Sequence, residues 1–137
     1  MRLDEEACQL ISLAGKRAKE FGHSFVGSAH LLLAIMDRPG RAGQLLRFAG
    51  LEQEGLRQMV LLLYGNGTPE LPLPQGFSLH ARRILRGAGK EAVLLRHRRV
   101  NGTHILLSVL RQKKSTAKVL LLLNNVDAEG LFSCVAE

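Results

Sequence analysis

Apolar residues return along this chain at intervals of three and four, and the clearest run opens near the N-terminus. Ala7, Leu10, Ile11, Ala14 and Ala18 fall on one stripe of a helix that starts at Asp4 as a cap and runs to about Phe21, where Gly22 stops it. Residues Ser28 to Met36 are almost wholly apolar. Such a helix keeps no polar face for water and is expected at the centre of the fold, with Ser28 as its cap. Asp37-Arg38-Pro39-Gly40 breaks the pattern. A third helix is predicted over about Arg41 to Ala49 and ends at Gly50. A fourth is predicted over about Glu52 to Tyr64, with Leu56, Met59, Val60 and Leu63 inward.

Three prolines between Gly65 and Gly76 erase the apolar period, so 65–76 reads as a linker. The four-helix plan then returns over about Ser78–Leu95, Thr103–Leu110, Ser115–Leu123 and Asp127–Val135. Sliding the sequence by 74 positions lays it on itself. Ala7, Leu10, Ala14, Lys16 and Ala18 fall on Ala81, Ile84, Ala88, Lys90 and Ala92. His23, Val26 and His30 fall on His97, Val100 and His104. With one inserted residue near Asn124, Glu54-Gly55-Leu56 matches Glu129-Gly130-Leu131. The chain is a tandem duplication, with repeat one over 3–64 and repeat two over 77–137. A single copy buries too little surface to stand alone, so the copies are expected to pack as a pseudo-twofold pair with a shared seam.

Composition agrees with an all-α fold of eight helices. The chain is 46% hydrophobic, only 4% aromatic and has no Trp, and Leu-rich stretches favour helices over strands. No apolar run reaches the roughly 18 residues that span a bilayer, and the acidic start Met1 to Glu6 is no signal peptide. A cytoplasmic protein with no membrane contact is expected. Cys8 and Cys134, far apart and set in apolar helical patterns, read as reduced, buried thiols in preference to a disulfide pair. The net charge of +7 is uneven: residues 1–68 carry 8 Lys/Arg against 7 Asp/Glu, and 69–137 carry 11 against 5. Much of that excess forms a basic patch of Arg82, Arg83, Arg86, Arg96, Arg98, Arg99, Lys113 and Lys114, joined by Lys90, Arg111 and Lys118. Such a patch suits an acidic protein face, nucleic acid phosphates or plain solvation.

Catalytic signals are weak. The pairs His23/His30 and His97/His104 have no Cys, Asp or Glu at ligand spacing, and they recur because the repeat recurs, so they read as structural rather than metal-binding. There is no Gly-x-Ser-x-Gly elbow. Gly87-Ala88-Gly89-Lys90-Glu91 comes nearest to a phosphate-cradling loop but lies inside a helix and ends in Glu. No catalysis, metal or cofactor is expected.

One stretch carries a resemblance. Gly22-His23-Ser24-Phe25-Val26-Gly27-Ser28-Ala29-His30, running into Leu31-Leu32-Leu33-Ala34-Ile35, resembles the Clp-repeat signature: a Gly-His, a short turn, then Gly-Thr-Glu-His before an apolar helix. His97 to Leu110 is a degraded second copy, and Leu45 to Leu51 is similar to the family's join between third and fourth helices. The resemblance covers the whole chain, 1–137, and is nearest to the N-terminal domains of ClpC- and ClpA-type unfoldases. It implies a non-catalytic module, monomeric as an isolated domain, that docks adaptor or substrate proteins for an AAA+ Clp unfoldase ring in cis or in trans. Some family members read phosphorylated arginine through the Glu of each Gly-Thr-Glu-His motif. Here those positions are Ala29 and Thr103, neither of which can offer a carboxylate. The expected partner surfaces are the helix-start turns Val26, Ser28, Ala29 and His30, and Val100, Gly102, Thr103 and His104, together with the seam between the copies; free N–H groups at the turns and the missing carboxylates would favour acidic or apolar segments over cationic ones. The alternative is a small basic nucleic-acid-associated protein on the same scaffold.

Overall fold

The structure, a computed structural model, describes residues 2–64 and 76–136. Apart from Gly76, the stretch read as a linker lies outside the described residues. Eight helices follow in order: α1 (Glu5–Glu20), α2 (Ser28–Asp37), α3 (Arg41–Phe48), α4 (Gln53–Tyr64), α5 (Leu79–Leu94), α6 (Gly102–Arg111), α7 (Thr116–Leu123) and α8 (Ala128–Ala136). The fold is all-α, as the periodicity predicts.

Equivalent local signals set equivalent helices. Asp4 Oδ1 accepts from the Ala7 N–H at 2.8 Å to open α1, and Ser78 Oγ accepts from Ala81 N–H at 3.2 Å to open α5. Both helices close alike: the His23 N–H reaches Ala18 O and the His97 N–H reaches Ala92 O, each at 2.9 Å. That closure needs a left-handed residue. Gly22 (φ 70°) fills it without cost in copy one, whereas Arg96 (φ 60°) fills it in copy two against a penalty of roughly 1 kcal/mol.

From α1 to α5 and from α2 to α6 the offset is 74, but from α3 to α7 and from α4 to α8 it is 75. The inserted residue therefore sits in the α6–α7 connection and not near Asn124. A loop absorbs an extra residue; inside a helix it would turn every later side chain by about 100°.

The centre of the molecule is α2 with α6. Every residue of α2 from Ser28 to Met36 is buried, and so are Gly102 and His104 to Leu110 of α6. Helix α2 touches α1, α3 and α4 of its own copy and α5, α6 and α7 of the other, while α6 does the reciprocal with α1, α2 and α3. Each buried Leu contributes roughly 2 kcal/mol, and part of that covering surface comes from helices an isolated copy would lack.

Backbone hydrogen bonds cross the seam reciprocally. The Val26 N–H donates to Gly76 O and the Ser78 N–H to Val26 O, both at 2.9 Å. At the positions 74 residues away, the Val100 N–H donates to Arg2 O at 2.9 Å and the Asp4 N–H to Val100 O at 2.8 Å. The resulting single-residue bridges are parallel, Val26 with Phe77 and Leu3 with Val100. Val26 and Val100 are both buried, so their amides and carbonyls need these partners.

Three expectations are corrected. Ser28 is not a cap for α2, whose N-cap is Gly27; it is the first helical residue, and its buried Oγ accepts the Ala117 N–H of α7 at 3.0 Å. Leu63 is half exposed although Leu56 and Val60 are buried, and in the last turn of α4 it is Leu61 that packs against the core. Cys8 and Cys134 are exposed free thiols, since Cys8 lies off the Ala7/Leu10/Ala14/Ala18 stripe and Cys134 off the Ala128/Leu131/Val135 stripe.

Replacing Ser28 by Ala strands a buried amide of the opposite copy. The expected loss is about 1–3 kcal/mol in urea unfolding, while Ser24→Ala, on the exposed turn, changes nothing measurable.

Candidate functional site

The residues singled out in the sequence cluster at the two helix-start turns, and there the histidines come first. Gly27 N–H donates to His30 Nδ1 at 2.8 Å, so the neutral ring carries its hydrogen on Nε2, which lies 2.8 Å from His23 Nδ1. Copy two repeats the arrangement: Asn101 N–H donates to His104 Nδ1 at 2.9 Å, and His104 Nε2 lies 2.7 Å from His97 Nδ1. Each inner histidine thus closes its turn by linking a backbone amide to the outer histidine. Among the described residues no group of three His, Cys, Asp or Glu is placed to hold a metal.

Geometry and burial agree on the charge state. Burial in the first place, and the neighbouring His23 in the second, push His30 from its ordinary 6.5 down to about 4. His104 shifts down for the same two reasons, burial and His97, partly offset by Asp4 and Glu91. A proton on Nδ1 would also face the Gly27 N–H donor head on.

The turns do not offer the open surface expected of them. Val26, Ser28, Ala29, His30, Val100, Gly102 and His104 are all buried, and Thr103 is half-buried. The N-terminus of α6 is already occupied. Asn101 Oδ1 accepts from the Thr103 N–H at 2.9 Å and the His104 N–H at 3.2 Å, and Glu6 Oε1, from the other copy, accepts the Gly102 N–H at 2.7 Å. With its amides bonded and a carboxylate in place, that helix end has no vacancy for an acidic segment. Nor do the two signature positions resemble a guanidinium clamp, since Ala29 is fully buried and the Thr103 hydroxyl donates to Asn101 Oδ1 at 2.7 Å. What the turns expose instead is Ser24 and Phe25 in copy one and Arg98 and Arg99 at the equivalent places in copy two.

The basic patch divides. Arg83, Arg86 and Lys90 line one groove between α5 and α6, with Arg111 across from them. Arg82, Arg96, Arg98, Arg99, Lys113 and Lys114 are exposed but do not line it. Lys118 donates to Leu110 O at 2.7 Å and closes the end of α6.

Two features escaped sequence reasoning. Glu6 caps a helix of the other copy, and nothing local marks it. A second signal was available. Arg17 Nε donates to Asp37 Oδ2 at 2.6 Å, and 74 residues later Glu91 pairs with Arg111, Nη2 to Oε2 at 3.2 Å, so the repeat keeps the ion pair and exchanges its charges.

The Clp repeat (R) N-terminal domain matches residues 2–129. The chain belongs to the Clp repeat family. The chloroplastic chaperone protein ClpC of Pisum sativum is 31% identical over 121 residues, 88% of this chain but 13% of that relative. The chain thus spans about an eighth of the length of the curated relatives it matches. Among solved structures, the N-terminal domain of ClpD from Arabidopsis thaliana superposes with a TM-score of 0.79 at 20% identity, covering 98% of this chain and 94% of that one. The ClpV N-domain in complex with a VipB peptide gives 0.73 at 22% identity over 98% of this chain and 87% of that one. The Clp repeat fold of the chain is established by these matches, and in it the doubled histidine motif closes the turns.

The histidine geometry predicts acid lability. Because the folded ring stays neutral down to about 4 while an unfolded one protonates near 6.5, the unfolded state binds more protons in that window. Stability is therefore full above about pH 6.5 and falls as the pH drops toward 4, by on the order of 3 kcal/mol for His30. His30→Asn, which keeps an acceptor near the Gly27 amide, should flatten the slope of unfolding free energy against pH between 7 and 4, as followed by urea melts.

Proposed function

We propose that this chain is a non-catalytic docking module that holds adaptor or substrate proteins for an ATP-driven Clp unfoldase ring, in cis or in trans, in the cytoplasm. The observation that carries the reading is the two-copy Clp repeat fold, shared with a ClpV N-domain whose solved form holds a VipB peptide. The internal chemistry supports it. The polar side chains of the seam are spent on the fold itself: the histidines on each other and on turn amides, Ser28 on Ala117, Glu6 on Gly102.

Docking needs surface the fold does not consume, and the copies leave some. Asn124 Nδ2 lies 3.1 Å from Met59 Sδ, holding the end of α7 against α4. Within a turn of that contact Leu62, Leu63, Leu122 and Leu123 are exposed. Apolar side chains gathered this way suit a protein partner. The relatives lend no support to a nucleic-acid role for the basic face.

A competition assay tests this. Added in excess to a ClpC-type unfoldase–protease reaction fed through an adaptor, the chain should slow degradation severalfold and leave ATP hydrolysis by the ring unchanged. Substrates carrying phosphorylated arginine should be competed no better than unmodified ones, because positions 29 and 103 hold no carboxylate. Undiminished degradation at saturating chain would overturn the proposal.

A further inference from the structure

The duplication supplies an internal control, since the same groove is built twice and carries different charges. In copy two it runs between α5 and α6, has a volume of about 360 Å³ and is lined by Arg83, Arg86, Gly87 and Lys90 on one wall and Arg111 and Gln112 on the other. In copy one the equivalent groove measures about 400 Å³ and is lined by Gln9, Ser12, Leu13, Lys16 and Arg38, five residues that stand 74 positions before Arg83, Arg86, Gly87, Lys90 and Gln112. Space does not separate the two. Charge does.

In copy one the groove holds two cations, and one of them is engaged. Arg38 bonds Gln9 Oε1 and lies 3.7 Å from Glu6 Oε2, which leaves Lys16 as the one lining cation without an ion pair to a described residue. In copy two, Glu91 is buried and takes Arg111. Arg83, Arg86 and Lys90 make no ion pair with any described residue. Positions 83, 86, 90 and 94 follow helical spacing, so these three cations and Leu94 share one stripe of α5. That stripe is about 16 Å long, the reach of roughly five extended residues. It ends on an apolar edge, with Val93 59% and Leu94 67% exposed.

Three adjacent cations without counter-charge repel one another, and the partner that relieves this best supplies carboxylates at the same pitch. Nucleic acid would bring phosphates but would leave Val93 and Leu94 uncovered, and the groove has no aromatic ring on which a base could stack. We infer that the α5–α6 groove is the docking site for an acidic peptide segment of a protein partner, with Asp or Glu side chains on Arg83, Arg86 and Lys90 and an apolar residue against Leu94. This rests on the docking role proposed above and assigns it a site and a ligand chemistry. Copy one has lost, or never gained, the same capacity.

Fluorescence anisotropy with the full chain tests it, using a labelled peptide of about ten residues rich in Asp and Glu with two Leu, and its Asn/Gln counterpart. The acidic peptide should bind, weaken with added salt and outbind the neutral one by about tenfold or more. Installing the copy-one residues, Arg83→Gln with Arg86→Ser, should cost about tenfold, whereas Arg98→Gln with Arg99→Gln, which removes the same charge from the turn, should cost less than about twofold. Both pairs are exposed, so folding is not at stake. Equal losses from the two double variants would make this a matter of net charge, and an oligonucleotide of equal charge binding more tightly would make it a phosphate site. Either result, or no preference between the peptides, overturns the assignment. If the peptide fails to bind while the chain still competes in the unfoldase reaction, the groove assignment falls and the docking role stands.

Discussion

Helices α2 and α6 have no polar side to turn toward water, and the remainder of the architecture follows from covering them. A helix whose residues from Ser28 to Met36 are all buried must be surrounded, and the three other helices of its copy reach only part of its circumference. The second copy closes the rest, and the same holds for α6 with the roles exchanged. Covering apolar surface brings backbone with it. Once Val26 and Val100 are buried, their amides and carbonyls require partners, and the segments leading into the first helix of the opposite copy provide them. The histidine turns serve this arrangement by holding the chain at Val26 and Val100 in the shape that meets the bridge.

Duplication fixes positions more firmly than residue types. Arg17 with Asp37 and Glu91 with Arg111 occupy equivalent sites with opposite polarity. Coulomb attraction is unchanged when both signs flip, and at each site one member complements its helix terminus while the other opposes it, so neither version is favoured by the macrodipole. A lone buried charge would be costly, and this is the constraint both copies obey: Asp37 and Glu91 are 4% and 5% exposed at the side chain and both are paired. Surface positions are under no such constraint, and there the copies have drifted into a weakly cationic groove and a strongly cationic one.

Much of the fold was legible in the sequence because helix period, caps and stops are local. Asp4, Ser78, Gly22 and Gly50 announced ends of helices that the structure places within a residue or two. What sequence reasoning missed is what depends on the other copy. Ser28 looks like a cap because it precedes an apolar run, yet its hydroxyl serves an amide 89 residues away. Glu6 reads as an ordinary acidic first-turn residue and in fact caps α6. At the site the same blindness applied to one half of the reading: motif residues at helix starts suggested an exposed surface, but packing had buried them, whereas the α5 cations that the uneven charge pointed to are exposed.

The central claim is that the two copies form one cooperative body through reciprocal backbone bonds at the seam. Native-state hydrogen exchange reads this directly, because amides that open only with global unfolding share one free energy. The account predicts that the amides of Asp4, Val26, Ser78 and Val100 exchange at the same free energy as the central residues of α2 and α6, with both halves moving together as denaturant is added. Seam amides exchanging several kcal/mol more easily than α2 and α6, or the two halves opening at separate free energies, would contradict it.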